Sequence, residues 1–256
     1  MRRTTVRRTA VAASALSLAL LVGACGGDKS ADDAPEGKGK KEGAAAASSA
    51  KTLSQAELDK LVLAEGDVKN HKVIKPLKAD LAAAEIAEPD KPACKPLVDA
   101  TSMRTPGSPA AKSLRRISVM PEKPAEDASP EEKLKAGLDA VGKAVIITDT
   151  LASYEGEGAQ EALAALRDAG KACAGGFTTI AGPDKVTYSK VAPASYTAGD
   201  EAVAFTLSTD MGGETGTAQL VTVRKGNTLA SFFAMSLMGK ADQPKEAIDA
   251  QLAKLG

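Results

Sequence analysis

Apolar residues follow three regimes along this chain. From Ala10 to Val22 they run almost without interruption. From Gly26 to Thr52 there is no Val, Ile, Leu, Met, Phe or Tyr, and from Leu53 onward they recur at the spacings of folded structure. The expected organisation is therefore a leader over 1–24, a linker over 25–52 that begins at Cys25, and one folded domain over 53–256.

Helical spacing comes first in the folded part. In Leu53-Ser54-Gln55-Ala56-Glu57-Leu58, Ser54 can cap the Glu57 N–H, Glu57 can reach back, and Leu53 can staple against Leu58. Leu58, Leu61 and Val62 make the stripe of this helix, and Gly66 is its expected end. Val73-Ile74 predicts a short strand. Pro89 to Pro96 is a Pro-rich connection carrying Cys94, followed by a short helix through Leu97 and Val98. Leu114 to Met120 reads as a strand. Ser129-Pro130-Glu131-Glu132 opens a further helix whose apolar face is Leu134, Leu138 and Val141.

Val145 to Leu151 predicts a strand by its β-branched content. Gly158 to Ala174 returns to helical spacing, with Ala159, Leu163, Leu166, Gly170 and Cys173 on one face. The last third alternates with period two. Strands are expected over Lys185–Ala192, Glu201–Thr209, Thr217–Arg224 and Thr228–Leu237, with Gly226-Asn227 as a two-residue hairpin turn. Gln243 to Leu255 closes the chain as a helix through Ile248 and Leu252. Strands beside strands, with helices at the margins, predict an α+β fold with a mainly antiparallel sheet flanked by helices.

The leader adds an address. Arg2, Arg3, Arg7 and Arg8 form a basic start, the apolar run follows, and Val22-Gly23-Ala24 supplies a small-residue cleavage site directly before Cys25. This run resembles a bacterial lipoprotein signal, which implies that Cys25 is acylated and becomes the mature N-terminus. Arg7-Arg8 is only a weak twin-arginine signal, so the export route stays open. The run is too short and too Ala-rich for a spanning helix, which needs about 20 strongly apolar residues. Two or three acyl chains, at about 0.8 kcal/mol per buried methylene, would hold the protein durably on the outer face of the membrane. The 27 residues from Gly26 to Thr52 cannot bury enough apolar area to offset chain entropy. As a flexible coil they would reach roughly 30 Å.

Charge and composition then exclude several functions. Cleavage of the leader removes four of the 33 basic residues and none of the 33 acidic ones. The resulting slight negative charge, with its signs interspersed, gives no footprint for nucleic acid. The chain has three Tyr, four Phe and no Trp, which argues against a sugar-stacking cleft or an aromatic cage. No catalytic residue, metal site or cofactor is expected. The single histidine, His71, sits in a polar run and reads as a surface residue, and there is no Gly-x-Ser-x-Gly elbow to accompany it. Tyr154-Glu155-Gly156-Glu157-Gly158 lies where phosphate loops occur, but Glu161 breaks the glycine pattern and acids crowd the place of a phosphate. Glu155 and Glu157 read as solvated loop acids rather than a hydrolytic pair. Phe232, Phe233, Met235 and Met238 admit two readings: a central strand covered on both faces, or an apolar groove for a lipid, peptide or partner.

With Cys25 assigned to lipid, Cys94 and Cys173 remain as a pair in an oxidising compartment. Two buried free thiols or a redox pair are the competing readings, although a redox pair usually sits as Cys-x-x-Cys. The order of elements, with Cys94 near a Pro-rich loop, Leu151-Ala152-Ser153-Tyr154, Cys173, and the hairpin Val223-Arg224-Lys225-Gly226-Asn227, resembles an actinobacterial lipoprotein and sensor-domain group. That group is typified by the extracellular domain of a mycobacterial receptor serine/threonine kinase. The resemblance implies a non-catalytic, extracytoplasmic module that senses or binds a small ligand or an envelope protein. The kinase sensor domains carry two disulfides, and only one is possible here. A carrier for lipids or envelope precursors is the alternative function, and a secreted hydrolase the next.

Overall fold

The computed structural model describes residues 50–119, 125, 127–142, 144–236 and 239–256. The leader, Cys25, nearly all of the linker, and Met238 lie outside the described residues.

Helix α1 (Gln55–Leu61) opens on the predicted reciprocal cap. Glu57 Oε2 accepts from the Ser54 N–H at 2.8 Å, and Ser54 Oγ accepts from the Glu57 N–H at 3.4 Å. The helix stops at Leu61 rather than Gly66, because Val62 turns to extended backbone (φ −63°, ψ 149°) so that Val62 and Leu63 both enter the core. Gly66, at φ +91°, belongs instead to the turn that brings the Asp67 carboxylate to the Ala64 N–H at 2.8 Å.

Strand β1 (His71–Ile74), helix α2 (Lys78–Glu85), strand β2 (Ala87–Pro89), a 3-10 turn (Pro92–Cys94) and helix α3 (Lys95–Thr101) follow. Next come β3 (Ala111–Val119), α4 (Pro130–Gly142), β4 (Val145–Ser153) and α5 (Gly158–Ala172). The remainder is β5 (Phe177–Ala181), β6 (Asp184–Tyr188), β7 (Lys190–Ala194), β8 (Glu201–Asp210), β9 (Thr215–Lys225), β10 (Thr228–Ser236) and α6 (Lys245–Leu255).

Seven strands form one sheet in the order β1-β3-β4-β10-β9-β8-β7, and β2-β5-β6 form a second, with every neighbouring pair antiparallel. The architecture is the expected α+β one. The predicted strand Lys185–Ala192 is two strands in different sheets. They divide at Ser189, where the chain passes so close to Gly176 that a Cβ there would strike the Tyr188 carbonyl oxygen.

Both faces of the large sheet are covered, as alternation requires of strands this apolar. Leu207, Leu220, Leu229 and Phe233 face a core completed by Leu97, Val98, Leu163, Leu166 and Phe177. Ile117, Leu151, Val221 and Phe232 face a second core, completed by Leu58, Leu63 and Ile248. Phe232 and Phe233, at 0% and 5% exposed, therefore fill opposite cores and do not share a groove; Met235 is left partly exposed at the end of its strand. The apolar face predicted for α4 is not packed. Leu134, Leu138 and Val141 stand exposed because the sheet faces are already taken by α1 and α6 on one side and α3 and α5 on the other.

Cys94 and Cys173 are joined, with their Cα atoms 5.9 Å apart, so the disulfide ties the start of α3 to the end of α5. Both residues are buried in the first core. The sheet edges are closed locally: the Val73 N–H of β1 donates to Glu65 Oε2 at 2.8 Å, and β7 carries Pro193.

Candidate ligand pocket

A cavity of about 640 Å³ opens where four strand ends meet the start of α6. Its position follows from register. His71 pairs with Val119, and Ser236 pairs with Val145, so the first residue of β1, the last of β3, the first of β4 and the last of β10 lie at one end of the sheet. Beyond β10 the chain folds back along β9. The Thr217 N–H donates to the Gly239 carbonyl at 3.1 Å, and the Ala241 N–H to the Thr217 carbonyl at 2.8 Å. Gln219 Nε2 donates to the Ala241 carbonyl at 3.1 Å and Gln243 Nε2 to the Ser195 carbonyl at 3.3 Å, which fixes the approach to α6. The first turn of α6 then overhangs the strand ends.

Val119, Val145 and Ile147 give the cavity an apolar floor, while Lys240, Asp242, Lys245 and Glu246 bring charges of both signs to its wall. Lys245 Nζ is held by Asp249 Oδ2 at 2.6 Å; that hydrogen bond raises its pKa. His71 lines the cavity with only 13% of its side chain exposed, its Nδ1 2.6 Å from the Lys69 carbonyl and 4.0 Å from Glu246 Oε2. The single histidine is therefore more enclosed than its polar neighbours in sequence suggest. A site of this size and mixed lining suits a small amphiphilic molecule, with its apolar body on the valines and its polar end among the charged groups.

The other candidate residues lie elsewhere. Glu155 and Glu157 are exposed at the turn into α5. Tyr154 beside them is buried, with its hydroxyl on the Pro106 carbonyl at 2.8 Å and its pKa pushed up to about 12 by burial. A second cavity, of about 490 Å³, contains Asp99, whose carboxylate is already paired with Arg104 Nη2 at 2.8 Å and Lys95 Nζ at 2.9 Å. Among the described residues, no group of three or more His, Cys, Asp or Glu could hold a metal ion, and no helix is long and apolar enough to cross a membrane.

The pocket was not legible in the sequence. Its wall is assembled from the starts of two strands, the ends of two others and a helix more than 160 residues from His71. Asp149, which the β-branched content of Val145 to Leu151 places only as a strand residue, was also missed. It is fully buried, neither carboxyl oxygen has a hydrogen-bond partner, and burial pushes its pKa up to about 7.

No family model matches this chain, and no curated protein matches it. Among solved structures, the extracellular domain of PknH from Mycobacterium tuberculosis is similar to it, at 11% sequence identity and a TM-score of 0.47, covering 80% of this chain and 95% of that one.

Proposed function

We propose that this protein is a lipid-anchored, extracytoplasmic binding module that presents the pocket of His71 and α6 to a small amphiphilic ligand, without catalysing its conversion. The pocket itself is the observation that carries the binding part of this reading. The buried disulfide supports an oxidising compartment.

Where the chain enters the fold supports the orientation. The Ala50 carbonyl accepts from Asn227 Nδ2 at 2.7 Å, and the Leu53 N–H donates to Ser153 Oγ at 2.8 Å. Residues 50–53 thus sit at the Ser153 end of β4, while the pocket sits at its Val145 end. At about 3.3 Å per residue, the nine residues of β4 separate the two by roughly 25 Å. A tether arriving at Ala50 would leave the pocket at the far end from its attachment.

The carrier alternative calls for an apolar cavity beside Phe232 to Met238; both Phe rings are committed to core packing, and of that stretch Ser236 lines the pocket. The hydrolase alternative calls for His71 or the Glu155/Glu157 pair in a deep cleft; His71 lines the pocket, while both glutamates are exposed at the turn into α5. Glu246, whose Oε2 lies 4.0 Å from the His71 ring, is mostly exposed.

The test is native mass spectrometry of the full-length protein extracted from its own membrane, beside Val145→Arg, which puts a long charged chain into the half-buried floor. A discrete added mass on the wild type that is absent from a folded Val145→Arg variant is the expected result. An added mass retained by the variant, or none on the wild type, would overturn the reading.

A further inference from the structure

The early end of α1 is completed from the far end of the chain. Gln251 of α6, fully buried, accepts the Leu63 N–H at Oε1 (3.1 Å) and donates Nε2 to the Leu61 carbonyl (2.9 Å). One side-chain amide thus supplies the partners that a continuing helix would have given Leu61 and Leu63, and it joins α6 to α1 over the sheet.

Asp149 stands at the middle of β4 on this same face, in the core that contains Leu63 and Ile248. Its carboxyl oxygens are unpartnered, although the charges of Arg115 and Lys254 act on it. Opposite it on β3 is Arg115, whose Nη1 donates to the Leu114 carbonyl at 2.7 Å. Opposite it on β10 is Phe232, which offers no charge. From α6 comes Lys254, bonded to Asp67 Oδ2 at 2.5 Å. From α1 comes Asp59, which accepts from Ser113 Oγ and from Gln55 Nε2. Leu63 N–H lies near enough to favour the Asp149 carboxylate, yet it is bonded to Gln251.

We infer that Asp149 and Gln251 compete for the Leu63 N–H, so that the protonation state of Asp149 sets whether Gln251 holds α6 to the end of α1 by two hydrogen bonds or by one. With Asp149 protonated, the acid has little claim on a donor and Gln251 keeps both of its bonds. On loss of that proton to solvent, a bare carboxylate in a dry core must find donors, because a buried unpaired charge is far more costly than a buried neutral acid. The nearest are the Leu63 N–H and the Arg115 guanidinium. Taking the first breaks one of the two bonds of the latch. Burial, opposed by Arg115, Leu63 N–H and Lys254, places this exchange near pH 7. The latch does not depend on what fills the pocket.

The experiment is an NMR titration of the full chain from pH 5 to 9, following the Leu63 backbone amide and the Gln251 side-chain amide. Both resonances should move together with a midpoint near neutrality, and neither should move in Asp149→Asn. Imidazole side chains as a class can change charge in the same range. His71→Gln, at a residue outside the latch, should therefore leave the movement intact, which keeps the test decisive even where Asp149→Asn does not fold. Static resonances across the range, the same movement in Asp149→Asn, or its disappearance in His71→Gln would each overturn the latch.

Discussion

Replacing Asp149 by asparagine should stabilise the protein much more at pH 8 than at pH 5. The folded carboxyl titrates near 7, against an ordinary value of 3.8 in the unfolded chain, because burial disfavours its charge. Below about pH 4 both states hold the proton, so this group has no effect on stability. Between 4 and 7 the unfolded chain gives the proton up while the folded protein keeps it, so rising pH removes stability. Above 7 both are ionised and the loss levels off. At about 1.4 kcal/mol per pKa unit the full loss is about 4 kcal/mol, of which about 2 kcal/mol is already incurred at pH 5. Asparagine matches the shape and never ionises. Its unbonded amide costs about 1–3 kcal/mol, but equally at both pH values. The stability of the variant relative to wild type should therefore rise by about 2–3 kcal/mol between pH 5 and pH 8. Urea unfolding followed by circular dichroism, with the disulfide intact, measures this directly. A difference between the two proteins that is the same at both pH values would refute the reasoning.

Three further outcomes are expected. Gly170→Ala should destabilise by roughly 1–3 kcal/mol in the same unfolding assay, because a Cβ there collides with the Phe205 ring where α5 crosses β8; Phe205→Leu in that background should recover part of the loss. Reducing the Cys94–Cys173 bond should cost about 4–5 kcal/mol in the chain-entropy model for a separation of 79 residues, read as a lower urea midpoint, and an unchanged midpoint would contradict its structural role. Cys25→Ala should release the protein into the medium, whereas continued membrane retention would refute the lipid anchor.

Local signals in the sequence carried through to structure. The Ser54/Glu57 cap, the helical stripe from Ala159 to Cys173, and the Gly226-Asn227 hairpin each depend on residues within one or two turns of each other, so spacing alone identifies them. Helix α2 was missed because its N-terminus has no polar cap residue; Asp80 instead accepts from the Leu77 N–H at 3.2 Å, and the Ala82-Ala83-Ala84 run presents little contrast between faces. The second sheet was missed because β2 is three residues long and makes sense only beside β5. The α4 stripe shows the opposite failure: its periodicity is clear, but periodicity does not say whether an open face remains to receive it. The pocket and the Gln251 bridge join residues more than 160 positions apart, and no local pattern announces such a meeting.

The central claim is tested most directly by the non-reducing intact mass of the protein recovered from its own membrane. The account predicts a chain beginning at an acylated Cys25, two mass units lighter than its reduced form through the bond between Cys94 and Cys173. A chain that retains residues 1–24, bears no lipid and has both thiols free would contradict it.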